Sequence, residues 1–146
     1  MKSWIHSANE PGSQFPIQNL PYGVFRDLAA MPHCCVAIGE EILDLTLLEE
    51  EGLIETGCEQ PVFNKGAFNP FMALGPARWH QLRRRLTALL IDGADASLRS
   101  DSVLRRAALR QRHQVTMLLP FEVRGYTDAI SSRSRIARIW ASPPSR

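Results

Sequence analysis

An aspartate that follows an extended segment can offer its oxygens to a hard divalent cation, and Tyr126-Thr127-Asp128 is where that chemistry could begin in this chain. One carboxylate is not a site. Calcium takes six to eight oxygens and magnesium six, so the residues by themselves read Asp128 as a surface or turn aspartate. The run Glu49-Glu50-Glu51 places three carboxylates in succession, which a helix turns in different directions. They cannot converge on one ion, and they read as a solvated helix end. The four histidines, His6, His33, His80 and His113, lie far apart in the sequence. His80 and His113 fall in predicted helices, where surface or packing roles suffice, and His33 beside Cys34 reads as a strand-edge residue rather than a ligand. Cys34, Cys35 and Cys58 lack the paired spacing of a zinc site and are odd in number, so they read as reduced packing residues. With no glycine-rich phosphate loop, nucleophile elbow, H-E-x-x-H or CxxC pair, the residues offer no complete active site.

The elements that would position these side chains are short. Pro11, Gly12, Pro16 and Pro21 predict an extended or turning amino-terminal arm. Strands are predicted at Tyr22–Phe25, Cys35–Ile38 and Glu41–Leu45, the last two forming a hairpin around Gly39-Glu40, where glycine can take a positive φ. Thr46 with Glu49 three residues on suggests a capping box for a helix ending near Gly52. A short apolar turn is expected at Phe71–Leu74. Pro76 at a first-turn position, followed by Trp79, Leu82, Leu86, Leu89 and Leu90 at three- and four-residue spacing, predicts the longest helix, stopped by Asp92-Gly93. Arg83, Arg84 and Arg85 spread around it as a solvated face. A further helix should start at Ser100 or Asp101 and run to about Gln111. Val115–Leu119 leads to Pro120, 121–128 reads as strand or extended connector, and 131–146 as a poorly ordered tail. Short strands with segregated helices imply an α+β domain.

A chain of 146 residues, 45% hydrophobic, suits one compact domain. Its 17 Lys plus Arg against 15 Asp plus Glu, without a continuous basic block, give no reason to expect a nucleic-acid partner. No basic start leads into a long apolar run and no transmembrane stretch is present, so a soluble, cytoplasmic chain with no membrane partner is expected.

From Phe15-Pro16-Ile17-Gln18-Asn19-Leu20-Pro21-Tyr22-Gly23-Val24-Phe25 onward the sequence resembles the fumarylacetoacetases, which hydrolyse a carbon–carbon bond in tyrosine breakdown. The likeness continues through Val36-Ala37-Ile38-Gly39, Ile42-Leu43-Asp44-Leu45, Asn69, Phe71-Met72-Ala73-Leu74-Gly75 with Trp79, Leu119-Pro120 and Gly125-Tyr126-Thr127-Asp128. It covers residues 3 to about 133. The resemblance implies a small SH3-like β-barrel with accompanying helices over 1–124, then the start of a catalytic domain at 125–134, and a divergent tail at 135–146. It further implies that Asp128 is one of four carboxylates binding calcium or magnesium, the other three lying in a larger domain that this chain lacks.

The departures then set the functional expectation. Where the family carries a histidine base seven residues after that aspartate, this chain has Arg135, which stays protonated and cannot accept a proton. Where the family has Phe-Tyr it has Ala129 and Ile130, which bring no hydroxyl. Codons exist for Arg135–Ala141 that, read two bases later, spell His-Arg-Thr-Asn-Leu-Gly, close to the family's His-Ala-Thr-Asn, which would fit a shifted reading frame. The expectation is therefore a truncated fumarylacetoacetase with no catalytic or substrate-binding residue of its own and an incomplete calcium or magnesium site. The rival is an interaction module that docks on a separate catalytic domain or intact paralogue. A homo-oligomer is the other partner expected.

Overall fold

The structure, a computed structural model, describes residues 1–123. The expected boundary at 124/125, both segments beyond it, and Asp128, Ala129, Ile130 and Arg135 lie outside the described residues.

Five strands build one antiparallel sheet: β1 (Tyr22–Arg26), β2 (Pro32–Ile38), β3 (Glu41–Asp44), β4 (Leu109–Gln111) and β5 (Thr116–Leu118), in the order β4-β3-β2-β1-β5. The β2–β3 hairpin pairs Ile38 with Glu41 across Gly39-Glu40, and Gly39 sits at φ 55°, as the turn requires. β2 begins earlier than its apolar run suggests, because Pro32 and His33 pair with Arg26 and Phe25 of β1. Val24, Cys34, Val36, Ile38 and Leu43 face the main core. Phe25, Cys35 and Ile42 face a smaller core closed by Val115. A sheet covered on both faces has no need of polar alternation, which explains the near-continuous apolar runs of β2 and β3.

Helices α1 (Leu45–Glu50), α2 (Asn69–Met72), α3 (Pro76–Leu90), α4 (Ser97–Ser100) and α5 (Ser102–Ala108) pack around this sheet. α3 buries Leu82, Leu86, Leu89 and Leu90 against the main core, the stripe its leucine spacing predicts. The α+β class follows directly. Among the described residues the sheet is open: β4 and β5 are its two edges, consecutive in the chain and joined by a one-turn 3-10 helix at Arg112–Gln114.

Several local expectations are corrected. The cap of α1 is Asp44, whose Oδ1 accepts from the Leu47 amide at 3.0 Å. Thr46 instead takes the Cys34 amide at 3.0 Å and donates to the Phe63 carbonyl at 2.8 Å, tying β2 to the following loop. α5 starts as predicted, with Asp101 accepting from Val103 and Leu104, but ends at Ala108 because Leu109–Gln111 pair with β3. The amino-terminal arm runs in turns as predicted, and it is packed as well. A 3-10 turn at His6–Asn9 and the buried Ile5, Ala8, Ile17 and Leu20 make it part of the main core. Ser3 bridges to Ile91, the Ser3 hydroxyl donates to the Leu90 carbonyl at 2.7 Å, and the Trp4 indole donates to Leu89 at 2.8 Å. These bonds satisfy carbonyls left open at the end of α3.

Candidate functional site

His33, which looked incidental, is the centre of a polar cluster. Its Nδ1 lies 2.7 Å from Asp44 Oδ2, and its Nε2 lies 3.6 Å from Asp27 Oδ2. The pairing follows from register, since Cys35 stands opposite Asp44 across β2–β3 and His33 is two residues along the same strand. Asp44 is buried, and desolvation raises its pKa above the ordinary value, against the opposing pull of the Leu47 amide and of His33. An imidazole held by a carboxylate is the orienting half of a nucleophile–base arrangement. The nucleophile is missing. Cys34 and Cys35 are buried, and burial, reinforced by the negative charge of Asp44, pushes both thiols up to about 12. At ordinary pH they carry no thiolate. The cluster is a structural brace between β2, the β1–β2 loop and α1.

The brace has a pH signature. Because the folded pKa of Asp44 is raised, its stabilising contribution is fully present below the unfolded value and is lost as pH rises through the folded one. Asp44→Asn keeps an acceptor for the cap but removes the titration. The stability of the native chain relative to Asp44→Asn should thus be greater at pH 3 than at pH 7, measured as urea midpoints; an equal difference at both would contradict the burial argument.

Glu49 is also misread as part of a solvated end. Its carboxylate accepts the Val62 amide at 3.1 Å and the Phe63 amide at 3.0 Å, while Glu50 and Glu51 remain exposed. Among the arginines of α3, Arg83 donates to the Leu20 carbonyl at 2.7 Å and lies over the Tyr22 ring, and Arg85 donates to Leu53 at 2.8 Å and pairs with Asp95. Only Arg84 of the three is exposed. His6 and His80 are exposed, and His113 is exposed in the 3-10 turn between β4 and β5 rather than in a helix. Cys34 and Cys35 are packing residues as expected; Cys58 is free and exposed, which its sequence gave no means to distinguish.

An almost wholly apolar concavity of about 490 Å³ is lined by Tyr22, Phe68, Phe71, Met72, Trp79, Pro120 and Phe121. Tyr22 stands with its ring 5.1 Å from Phe68 and 5.8 Å from Phe71, and Phe63 closes the floor 5.2 Å from Phe71. The Trp79 indole is fixed by donation to the Phe71 carbonyl at 3.0 Å. Three further bonds hold the wall: the Phe68 amide donates to the Pro120 carbonyl, and Asn69 exchanges two bonds with the Glu122 backbone at 2.8 and 3.0 Å. Such walls can seat apolar groups but transfer no proton. Among the described residues no group of three or more His, Cys, Asp or Glu side chains is placed to hold a metal ion. No helix among them is long and apolar enough to cross a membrane.

Comparison with known proteins gives this arrangement its context. Residues 18–120 match the family described as Fumarylacetoacetase N-terminal. Fumarylacetoacetase of Bos taurus is 43% identical over 130 residues, covering 87% of this chain and 30% of its own length. The Homo sapiens protein of the same name is 41% identical over 132 residues, with the same coverages, and that of Arabidopsis thaliana is 36% identical over 135 residues, 90% of this chain and 31% of its own. The chain thus spans about 30% of the length of the curated relatives it matches. By the extent of that match, the chain belongs to the fumarylacetoacetase N-terminal family.

Proposed function

We propose that this chain is the amino-terminal portion of a fumarylacetoacetase, an enzyme that hydrolyses fumarylacetoacetate to fumarate and acetoacetate in tyrosine and phenylalanine breakdown, and that it is inactive alone. The observation that carries the reading is the coverage: matched over 87% of its length, it corresponds to 30% of the bovine fumarylacetoacetase. Asp128 would contribute one carboxylate to a calcium or magnesium site completed by three others from the remainder of such a protein. The small SH3-like barrel is the finer fold reading. It is supported by the order β4-β3-β2-β1-β5 and by the one-turn 3-10 helix that leads from one edge strand to the other. Buried neutral thiols at Cys34 and Cys35 accord with a cytoplasmic setting.

The test is hydrolysis of fumarylacetoacetate by the purified chain with calcium or magnesium, followed as loss of the diketo absorbance. No turnover above the uncatalysed rate is expected. Clear turnover would overturn the reading and require a base and an ion site elsewhere in these residues. A second reading, an interaction module that docks on a separate catalytic domain or intact paralogue, is favoured by the uncovered aromatic concavity of Tyr22, Phe71 and Trp79.

A further inference from the structure

A second concavity, of about 560 Å³, is lined by residues of both sheet edges and falls within the roughly 300–1,000 Å³ of small-molecule sites. Arg110 of β4 and Arg106 of α5 line it, together with Arg26 at the end of β1 and Thr116, the partner of Arg26 on β5. Ten arginines fall among the described residues, and six of them engage this chain through a hydrogen bond or ion pair. Of the four that make neither among the described residues, three are those lining this concavity; the fourth, Arg84, is exposed on α3. The guanidinium carbon of Arg110 sits 5.9 Å from the centre of the buried Phe25 ring, and its Nε is buried with no hydrogen-bond partner among the described residues. Buried donors are normally paired, so an orphaned one on a residue that lines a cavity marks a place for an acceptor.

The carboxylates nearby do not answer these charges. Asp27 lines the same concavity, but one of its oxygens accepts the Met31 amide at 3.0 Å and the other faces His33 Nε2 at 3.6 Å. Asp44 feels the charge of Arg110, yet its oxygens go to His33 and the Leu47 amide. Arg106 also borders a neighbouring cavity lined by Glu10, Glu40 and Glu41, where Glu40 takes Arg112 instead. We propose that the arginine-lined concavity is a binding site for a small dicarboxylate, with Arg110 and Arg106 taking one carboxylate and Arg26 the other. A guanidinium offers a planar fork of N–H donors that matches a carboxylate. The three arginines come from different elements, so negative charge divided between the two ends of a ligand meets them better than charge gathered at one point, as in a phosphate. Leu109 and Val115 line the same space and suit a short hydrocarbon link between the carboxylates.

The experiment is calorimetric titration of the full 146-residue chain with succinate at neutral pH and low salt. Saturable binding at millimolar succinate or below is expected, and succinamide, the same skeleton without charge, should give none. Arg26→Gln and Arg110→Gln should each weaken binding by about tenfold, the worth of a hydrogen bond to a charged group, whereas Arg84→Gln should leave it unchanged. Arg26 is exposed, so its variant keeps the test sound if loss of the Arg110 contact with Phe25 prevents folding. Absence of saturable heat, or an equal loss in all three variants, would overturn the proposal. Inorganic phosphate binding with the same arginine dependence, in place of succinate, would give the concavity to a phosphate ligand and overturn it as well. The titration requires no turnover, so its outcome is independent of the proposed function.

Discussion

Gly39→Ala should destabilise the chain by about 3 kcal/mol, a large effect for one methyl group. Two terms add. At φ 55° an L side chain is strained, which costs about 1 kcal/mol. The second term is steric: a Cβ at Gly39 would meet the Ser7 hydroxyl and stand 2.6 Å from the Ala8 nitrogen and 2.8 Å from the Ser7 carbonyl carbon. Two of those three atoms are backbone, so no rotamer relieves the contact. The amino-terminal 3-10 turn would have to lift off the hairpin, an overpacking cost of about 1–3 kcal/mol. Urea unfolding of Gly39→Ala, Ser7→Ala and the double variant measures this. Ser7→Ala should recover less than half of the loss, since it removes only the hydroxyl. Full recovery would show that the side chain, and not the backbone, sets the limit.

Glu49→Ala, in the last turn of α1, should cost a similar amount, about 3 kcal/mol. The carboxylate is the shared acceptor for the Val62 and Phe63 amides, and both residues are buried. Removing it leaves two donors without a partner in a place water reaches poorly, at about 1–3 kcal/mol each. Phe63 is also part of the aromatic floor beneath Phe68 and Phe71, so the damage should spread to the concavity. For a chain of this size that loss lowers the melting temperature by about 10 °C. Glu50→Ala, exposed one residue away, should have little effect. Glu49→Gln retains an acceptor without the charge and should fall between them. A Glu49→Ala chain as stable as the native one would mean that the 61–64 loop rearranges to satisfy its own amides.

These two residues also show where a single sequence stops being informative. The positive φ of Gly39 is legible, because a two-residue hairpin demands it locally. The close approach of residues 7 and 8 is not, because nothing near Gly39 encodes what will lie on top of it. α3 was readable from Pro76 and its leucine spacing for the same local reason. Glu49 was taken for one of three solvated carboxylates since its partners lie 13 and 14 residues downstream, in a loop without a pattern. The capping position moved from Thr46 to Asp44 because Thr46 is claimed by Cys34 and Phe63 across the fold. α5 lost its last residues when Leu109–Gln111 found a strand to pair with, a tertiary contact that overrode helical periodicity. The His33–Asp44 pair needed β-sheet register, which sequence spacing does not supply. Asp128 and Arg135 were readable only through resemblance, and they fall beyond the described residues.

The bonds between residues 2–4 and the end of α3 impose an order on synthesis. Trp4 is made 85 residues before Leu89, the carbonyl it caps. At about 5–20 residues per second the ribosome leaves that gap open for roughly 4–17 s. Throughout it Ile5, Ile17 and Leu20 have emerged, yet the helix that will cover them has not been translated. The nascent chain carries that apolar surface uncovered until α3 is complete. Its amino terminus is also a poor place for a bulky tag, because residues 3 and 4 must pack against the end of α3.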